Sequence, residues 1–269
     1  MQITNRPTPL QSPLTSRTCS GASLSARVRI PGAGRLVPLL CLLFLASCTD
    51  AKPPATTSDL AARRAAMVDQ QIAARGITDP ATLEALRTVP RHEFIPFRLQ
   101  AEAYADYPLP IGHGQTISQP YIVAFMTEAI RPQPGEKILE IGAGSGYQAA
   151  ILAAMGADVY TVEIVEPLAE MSRQTLERLG YDNAQVLHAD GFRGWPEHAP
   201  YDAIIVTCAP DKIPPPLVEQ LRDGGRMIIP VGGGMNQELI LLRKEGDKIE
   251  QQSILPVRFV PMTGEAQSQ

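Results

Sequence analysis

The sequence predicts an α/β protein, a doubly wound and mostly parallel sheet of seven strands with a helical N-terminal cap. Three observations predict it. From Lys137 onward, apolar runs of five or six residues alternate with helical patterns of 3.6-residue period, the texture of βαβ units. A glycine cluster, Gly142-Ala143-Gly144-Ser145-Gly146, follows the first of these runs, where a strand would turn into a helix. The last two runs follow one another with no helix between them and read as a terminal pair of strands.

In chain order, Leu60 to Ala74 has helical composition and is ended by Gly76. A second helix is predicted over Pro80–Thr88, with Asp79 as N-cap and Pro80 in the first turn. Residues 89–120 are rich in proline and read as irregular. A stretch of about 30 residues without regular structure is usually functional in a compact domain. Tyr121–Ile130 reads as a buried helix. Strands follow at Lys137–Ile141, Asp158–Glu163, Gln185–His188, Tyr201–Thr207 and Gly225–Ile229, then Leu239–Arg243 and Lys248–Leu255. Helices are predicted between them at Tyr147–Met155, Pro167–Leu179 and Pro215–Leu221. Pro214-Pro215-Pro216 is read as the start of that last helix, because Leu217-Val218-Glu219-Gln220-Leu221 continues it.

The net charge of −4 over 269 residues divides unevenly. Residues 1–48 carry five arginines and no acid, whereas the other 221 residues hold 19 basic and 28 acidic side chains, a net −9. An acidic body with no concentrated basic patch argues against a nucleic-acid partner. The apolar run Leu36–Ala46 is eleven residues long, too short for a bilayer core that needs about 20, and suits the h-region of an export signal behind Arg27, Arg29 and Arg35. Leu45-Ala46-Ser47-Cys48 looks like a bacterial lipoprotein box, in which Cys48 would carry lipid. The Arg- and Ser-rich stretch 1–35 also has the composition of an organellar transit peptide, and translation could begin downstream, near Val28. The expected organisation is a signal-like leader at 1–48, a tether at 49–59 and one domain at 60–269.

Glycines after a parallel strand let a ligand approach the main chain where a Cβ would clash. The spacing here is G-x-G-x-G, with Tyr147 where a dinucleotide fingerprint needs Gly or Ala, which suits a cofactor without a pyrophosphate. Glu163 closes the second strand 21 residues after Gly142, placed to accept hydrogen bonds from both hydroxyls of an adenosine ribose. Asp190-Gly191 ends the third strand, where a carboxylate could receive an adenine amino group. The other readings are a plain tight turn and two helix-capping acids. All three features fall at the carboxyl ends of adjacent strands, where open α/β sheets bind ligands.

The sequence resembles the protein-L-isoaspartate O-methyltransferase family from about residue 63 to 266. The resemblance is carried by Val89-Pro90-Arg91 with Phe94, by Leu109-Pro110-Ile111-Gly112-His113-Gly114-Gln115-Thr116-Ile117-Ser118-Gln119-Pro120-Tyr121, and by Leu139–Gln148 around the glycine turn. Tyr201–Thr207 and Arg258-Phe259-Val260-Pro261 complete it. It implies a Rossmann-like methyltransferase sheet and S-adenosyl-L-methionine as methyl donor, with no metal. The implied acceptor is the free α-carboxylate of L-isoaspartyl residues in damaged proteins and peptides, whose ester closes to a succinimide and so begins repair to aspartate. It further implies Ser118 as the active-site residue, and Thr116, Gly142, Gly144, Gly146, Glu163, Asp190, Gly191 and Thr263 around the cofactor. Ala143 stands where the family often has Thr or Ser. The leader is a further departure, since the family is usually cytosolic. An exported enzyme would also need a supply of a cofactor made in the cytosol.

The chemistry fits the residue types. A carboxylate is already a nucleophile at neutral pH and a sulfonium methyl is already activated, so no general base is needed, and none is evident. Ser118 can donate a hydrogen bond to the carboxylate; its other reading is a cap at the helix start before Pro120. His92, His113, His188 and His198 show no metal-ligand spacing and read as packed or solvated. Cys208 reads as a small buried residue and Trp195 as packing. The rival functions are a small-molecule methyltransferase on the same cofactor fold, and a lipoprotein that binds altered peptides without turnover.

Overall fold

The computed structural model describes residues 56–234 and 236–268. The leader and all of the tether up to residue 55 lie outside the described residues. The first helix starts inside the stretch read as tether: α1 spans Thr57–Ala66, opened by a capping box in which Thr56 and Asp59 bond each other's backbone amides. It continues through a π-helical stretch, Met67–Ile72, and a 3-10 turn, Ala73–Arg75, ending at Gly76 with φ 97°. α2, Pro80–Thr88, has Asp79 as N-cap accepting from the Thr82 amide at 2.8 Å.

Residues 89–119 are more ordered than their composition suggests. Two short 3-10 helices, Arg91–Phe94 and Phe97–Glu102, precede a hairpin of β1, Leu109–Gly112, and β2, Gln115–Ile117. Its two-residue turn is His113-Gly114, both at positive φ (51° and 73°). Tight hairpins demand that conformation, and Asn-Gly normally supplies it. With histidine in the first position and Pro110 in the strand, the hairpin left no alternating pattern to read. α3, Pro120–Ile130, follows, with proline in its first turn.

The sheet is built from β3 (Lys137–Ile141), β4 (Asp158–Glu163), β5 (Ala184–His188), β6 (Tyr201–Val206), β7 (Leu221–Val231), β8 (Gln237–Glu245) and β9 (Lys248–Val257). Their order is β5-β4-β3-β6-β7-β8-β9. The first five pair in parallel and the last two add on antiparallel. α4 (Tyr147–Ala154), α5 (Glu166–Arg178) and α6 (Pro215–Gln220) make three of the four crossovers, and the 3-10 turns Gly191–Arg193 and Pro196–His198 lie in the β5-to-β6 connection. Side chains alternate between two cores: Ile138, Ala203, Ile205 and Ile228 face one, and Leu139, Ile141, Ile204, Val206, Met227 and Ile229 face the other. From β3 the chain winds outward through β4 and β5, then returns to β6 on the other side of β3. That reversal opens a crevice between β3 and β6 at their carboxyl ends, the place where such sheets hold ligands.

One residue of the central strand breaks the apolar pattern. Glu140 is fully buried and, among the described residues, neither carboxyl oxygen has a hydrogen-bond partner. Burial, with the Glu163 charge adding to it, pushes its carboxyl up from 4.5 to about 8 despite the Thr161 hydroxyl facing it from β4. The folded protein therefore holds a proton that the unfolded chain releases near pH 4.5. Stability from this group is full below that pH, falls up to about 8 and is constant above it. Glu140→Gln, neutral throughout, is expected to melt progressively above wild type between pH 5 and 8, as circular dichroism at several pH values would show. A constant gap across that range would refute the buried, protonated state.

Candidate active site

The crevice between β3 and β6 contains a cavity of about 780 Å³ of unfilled space. Its floor is the turn after β3. Gly142 sits at φ 96°, and a Cβ there would lie 2.5 Å from Thr207 Oγ1, so only glycine fits on two counts. Thr207 Oγ1 donates to the Ile141 and Gly142 carbonyls, at 3.0 and 2.7 Å, locking the turn to the end of β6. Gly142→Ala is expected to abolish cofactor binding and to destabilise the fold by about 2 kcal/mol or more, from overpacking and left-handed strain. Calorimetric titration with S-adenosylhomocysteine and a thermal melt would measure both effects. Gly146, the N-cap of α4 at φ 87°, is not among the lining residues. A Cβ there would press on Ser172 and Leu176 of α5 at 3.3–3.4 Å, so it serves helix packing.

Glu163 lines the cavity at the end of β4. Its Oε2 accepts from the Gly144 amide at 2.8 Å and its Oε1 from the Val165 amide at 2.9 Å. Each oxygen retains a further lone pair for a ligand hydroxyl. Asp190 is engaged in the same way. Its Oδ1 accepts from the Phe192 amide at 2.9 Å and its Oδ2 from the Glu265 amide at 2.8 Å, so it caps one 3-10 turn and anchors another. Asp190 is not among the lining residues, whereas its neighbour Gly191 is. Ile164, beside Glu163, adds a half-exposed apolar face to the wall. Cys208 also lines it; burial, then the carboxylates of Glu163, Asp190 and Glu140, push the thiol up to about 12, so it stays neutral.

The roof comes from the two ends of the domain. Thr116 and Ser118 reach it from β2 and the residue after it, and Val260 to Thr263 from the C-terminal segment. That segment runs beside Ala209, whose amide donates to Val260 O and whose carbonyl accepts from the Met262 amide, each at 2.8 Å. It is also held by Gln237 of β8, whose side chain accepts from the Phe259 amide at 2.6 Å and donates to its carbonyl at 3.1 Å. A second cavity, open to solvent and with about 1330 Å³ of unfilled space, lies against the first. Thr116, Ser118, Thr207 and Val260 line both, forming the partition between them.

Ser118 does not cap α3. Asp106 does so from the preceding segment: its Oδ1 accepts from the Tyr121 amide at 3.1 Å and its Oδ2 from the Gln119 side chain at 2.8 Å, while Arg75 pairs with it at 2.6 Å. Among the described residues the Ser118 hydroxyl has no hydrogen-bond partner. Its carbonyl is held by the buried Arg91, whose Nη2 donates to it at 2.7 Å. Sequence reasoning brought Ser118, Thr116, Gly142, Gly144, Glu163, Gly191 and Thr263 to one cavity. It missed Thr207, Asp106 and Gln237, and assigned Arg91 no role. These act through contacts between distant segments and leave no local pattern.

The four histidines are dispersed. His92 Nδ1 lies 2.6 Å from Tyr104 Oη, and burial followed by nearby Arg64 lowers its pKa against the pull of Glu93. His198 stacks on Tyr160 at 4.2 Å, beside Trp195. No group of three or more His, Cys, Asp or Glu side chains could hold a metal among the described residues.

Residues 62–267 match the family described as protein-L-isoaspartate(D-aspartate) O-methyltransferase. A protein-L-isoaspartate O-methyltransferase of Gloeobacter violaceus is 56% identical over 200 residues, covering 74% of this chain and 98% of the relative. One from Opitutus terrae is 50% identical over 232 residues, covering 86% of this chain and 98% of the relative, an alignment longer than the family match. Among solved structures, a candidate protein-L-isoaspartate O-methyltransferase of Plasmodium falciparum in complex with S-adenosyl-L-homocysteine superposes with a TM-score of 0.65 at 25% identity. That superposition covers 74% of this chain and 98% of the other. With the glycine turn, the acid ending β4 and the Ser118 segment converging on one cavity, the chain belongs to the protein-L-isoaspartate(D-aspartate) O-methyltransferase family.

Proposed function

We infer that this chain transfers the methyl group of S-adenosyl-L-methionine to the free α-carboxylate of L-isoaspartyl residues in damaged proteins and peptides. The observation that carries the site assignment is the partition: an unengaged Ser118 hydroxyl between two cavities, one floored by the glycine turn and Glu163. The Gly142–Gly144 backbone and Glu163 hold the cofactor, Gly191 and Thr263 border it, and Gly146 and Asp190 support the wall from behind. When bound, the cofactor supplies an electrophilic methyl. A carboxylate oxygen forms the new C–O bond as the methyl–sulfur bond breaks, and no proton moves. The protein has to exclude water, orient the carboxylate and steady it, which Ser118 and Thr116 do from the partition. Radiolabelled methyl transfer to an isoaspartyl peptide, compared with its aspartyl twin, tests the function. Equal labelling of the twins, or none, overturns it.

For the N-terminus we propose an export leader ending at Cys48, with lipid on that cysteine, followed by a tether that ends where the Thr56 capping box begins α1. The arginine-bearing, acid-free stretch ahead of the apolar run Leu36–Ala46, followed by Ser47-Cys48, supports it. Mass spectrometry of the protein from its own cells tests this reading, and a main population retaining residues upstream of Cys48 refutes it.

A further inference from the structure

Arg91 is fully buried, yet among the described residues no carboxylate forms an ion pair with it. Burial brings its pKa down to about 10, which still leaves the guanidinium charged at neutral pH. It spends its donors on main chain: Nε donates to Ala103 O at 2.8 Å and Nη2 to Ser118 O at 2.7 Å, while Nη1 is buried without a partner. Its Cζ lies over the ring of Tyr147, 4.9 Å from the centroid, and Tyr147 is the first residue of α4 after the glycine turn. Enclosing a guanidinium with no carboxylate bonded to it is expensive, and the Asp106 charge supports it only from a distance. The arrangement makes physical sense if the fixed fork serves geometry. Arg91 is the direct link between the residue carrying the unengaged hydroxyl and the helix that begins at the cofactor turn.

We propose that Arg91 is a positioning residue for methyl transfer, one that sets Ser118 against the cofactor turn and so fixes the approach of the acceptor carboxylate to the methyl group. The inference rests on the reading of Ser118 given above. Lysine keeps the charge but loses the planar fork, so it can bond one carbonyl without holding the second or stacking on Tyr147. Misplacement by about 1 Å costs on the order of a hundredfold in rate. Arg91→Lys is therefore expected to lower kcat by roughly 30- to 100-fold, leaving KM for the peptide and Kd for S-adenosylhomocysteine within about threefold. Arg91→Met, apolar and of comparable length, leaves the Ala103 and Ser118 carbonyls without their donor, so it is expected to melt somewhat below wild type, to bind S-adenosylhomocysteine within about threefold of it and to lose at least as much kcat as the lysine variant.

The deciding experiment is a double-mutant cycle on kcat with an isoaspartyl peptide. If Arg91 acts through Ser118, adding Arg91→Lys to Ser118→Ala lowers kcat by less than about threefold further. Multiplicative losses overturn the proposal, as does a loss of S-adenosylhomocysteine affinity and melting temperature in step with kcat. If neither Arg91 variant folds, Arg91 is a stability residue and the proposal falls. Wild-type protein is measured first. Failure to methylate the isoaspartyl peptide would reject the functional reading itself, whereas turnover with multiplicative losses rejects only the role of Arg91.

Discussion

Ser118→Ala is expected to lower turnover on an isoaspartyl peptide about a hundredfold while leaving the affinity for S-adenosylhomocysteine within about threefold. The separation follows from where the hydroxyl stands. It lies on the partition shared by the two cavities and is bonded to no other described group, so its removal leaves no buried partner orphaned. The backbone at 118 stays put, because Arg91 grips the carbonyl and Asp106 grips Gln119 and the Tyr121 amide, none of which involves the side chain. What is lost is one donor to the carboxylate at the moment of transfer. Steady-state kinetics with peptide, paired with calorimetric titration of S-adenosylhomocysteine, gives both numbers. Wild-type turnover in the alanine variant would remove Ser118 from the chemistry.

Glu163→Ala is expected to do the reverse, weakening S-adenosylhomocysteine by more than about a hundredfold, with a smaller loss of turnover at saturating cofactor. Hydrogen bonds to a charged group contribute about 1.5–3 kcal/mol each, and two ribose hydroxyls would lose their acceptor together. The same change strips the Gly144 and Val165 amides of partners, so the glycine turn loosens and the affinity loss exceeds the two ligand bonds alone. Glu163→Gln, which keeps one acceptor oxygen, should fall between. Calorimetry orders the three proteins, and an alanine variant that binds as tightly as wild type would place the ribose elsewhere.

The sheet was legible wherever a strand was an apolar run with a clear stop. β3 and β4 have the expected limits because Gly142 ends one run, Asp158 opens the next and Glu163 closes it. β7 begins at Leu221, before the predicted Gly225, because Arg222-Asp223-Gly224 interrupts the apolar pattern without interrupting the strand, at an irregular register. Local chemistry also gave away part of the site, since a glycine turn and an acid at strand ends form a pattern with a known spacing. Asp190 shows the limit of that logic. Its spacing offered both a capping and a ligand-facing reading, and the Glu265 amide it accepts from the far end of the chain left no local pattern. Arg91, Asp106 and Gln237 were illegible as site residues for the same reason: each holds a segment it meets only after folding.

The partition between the cavities brings Ser118 together with Val260, residues from opposite ends of the domain, with the whole parallel sheet lying between them in sequence. Contacts so distant along the chain form only after the loop between them has closed, which makes them late events in folding. On the ribosome the consequence is stricter. The glycine turn and Glu163 are made well before the last strands, whereas the wall opposite Ser118 waits for Val260 to Thr263. A nascent chain can thus assemble the cofactor floor while still lacking the means to transfer a methyl group, and catalytic competence arrives only once Val260 to Thr263 have joined the fold.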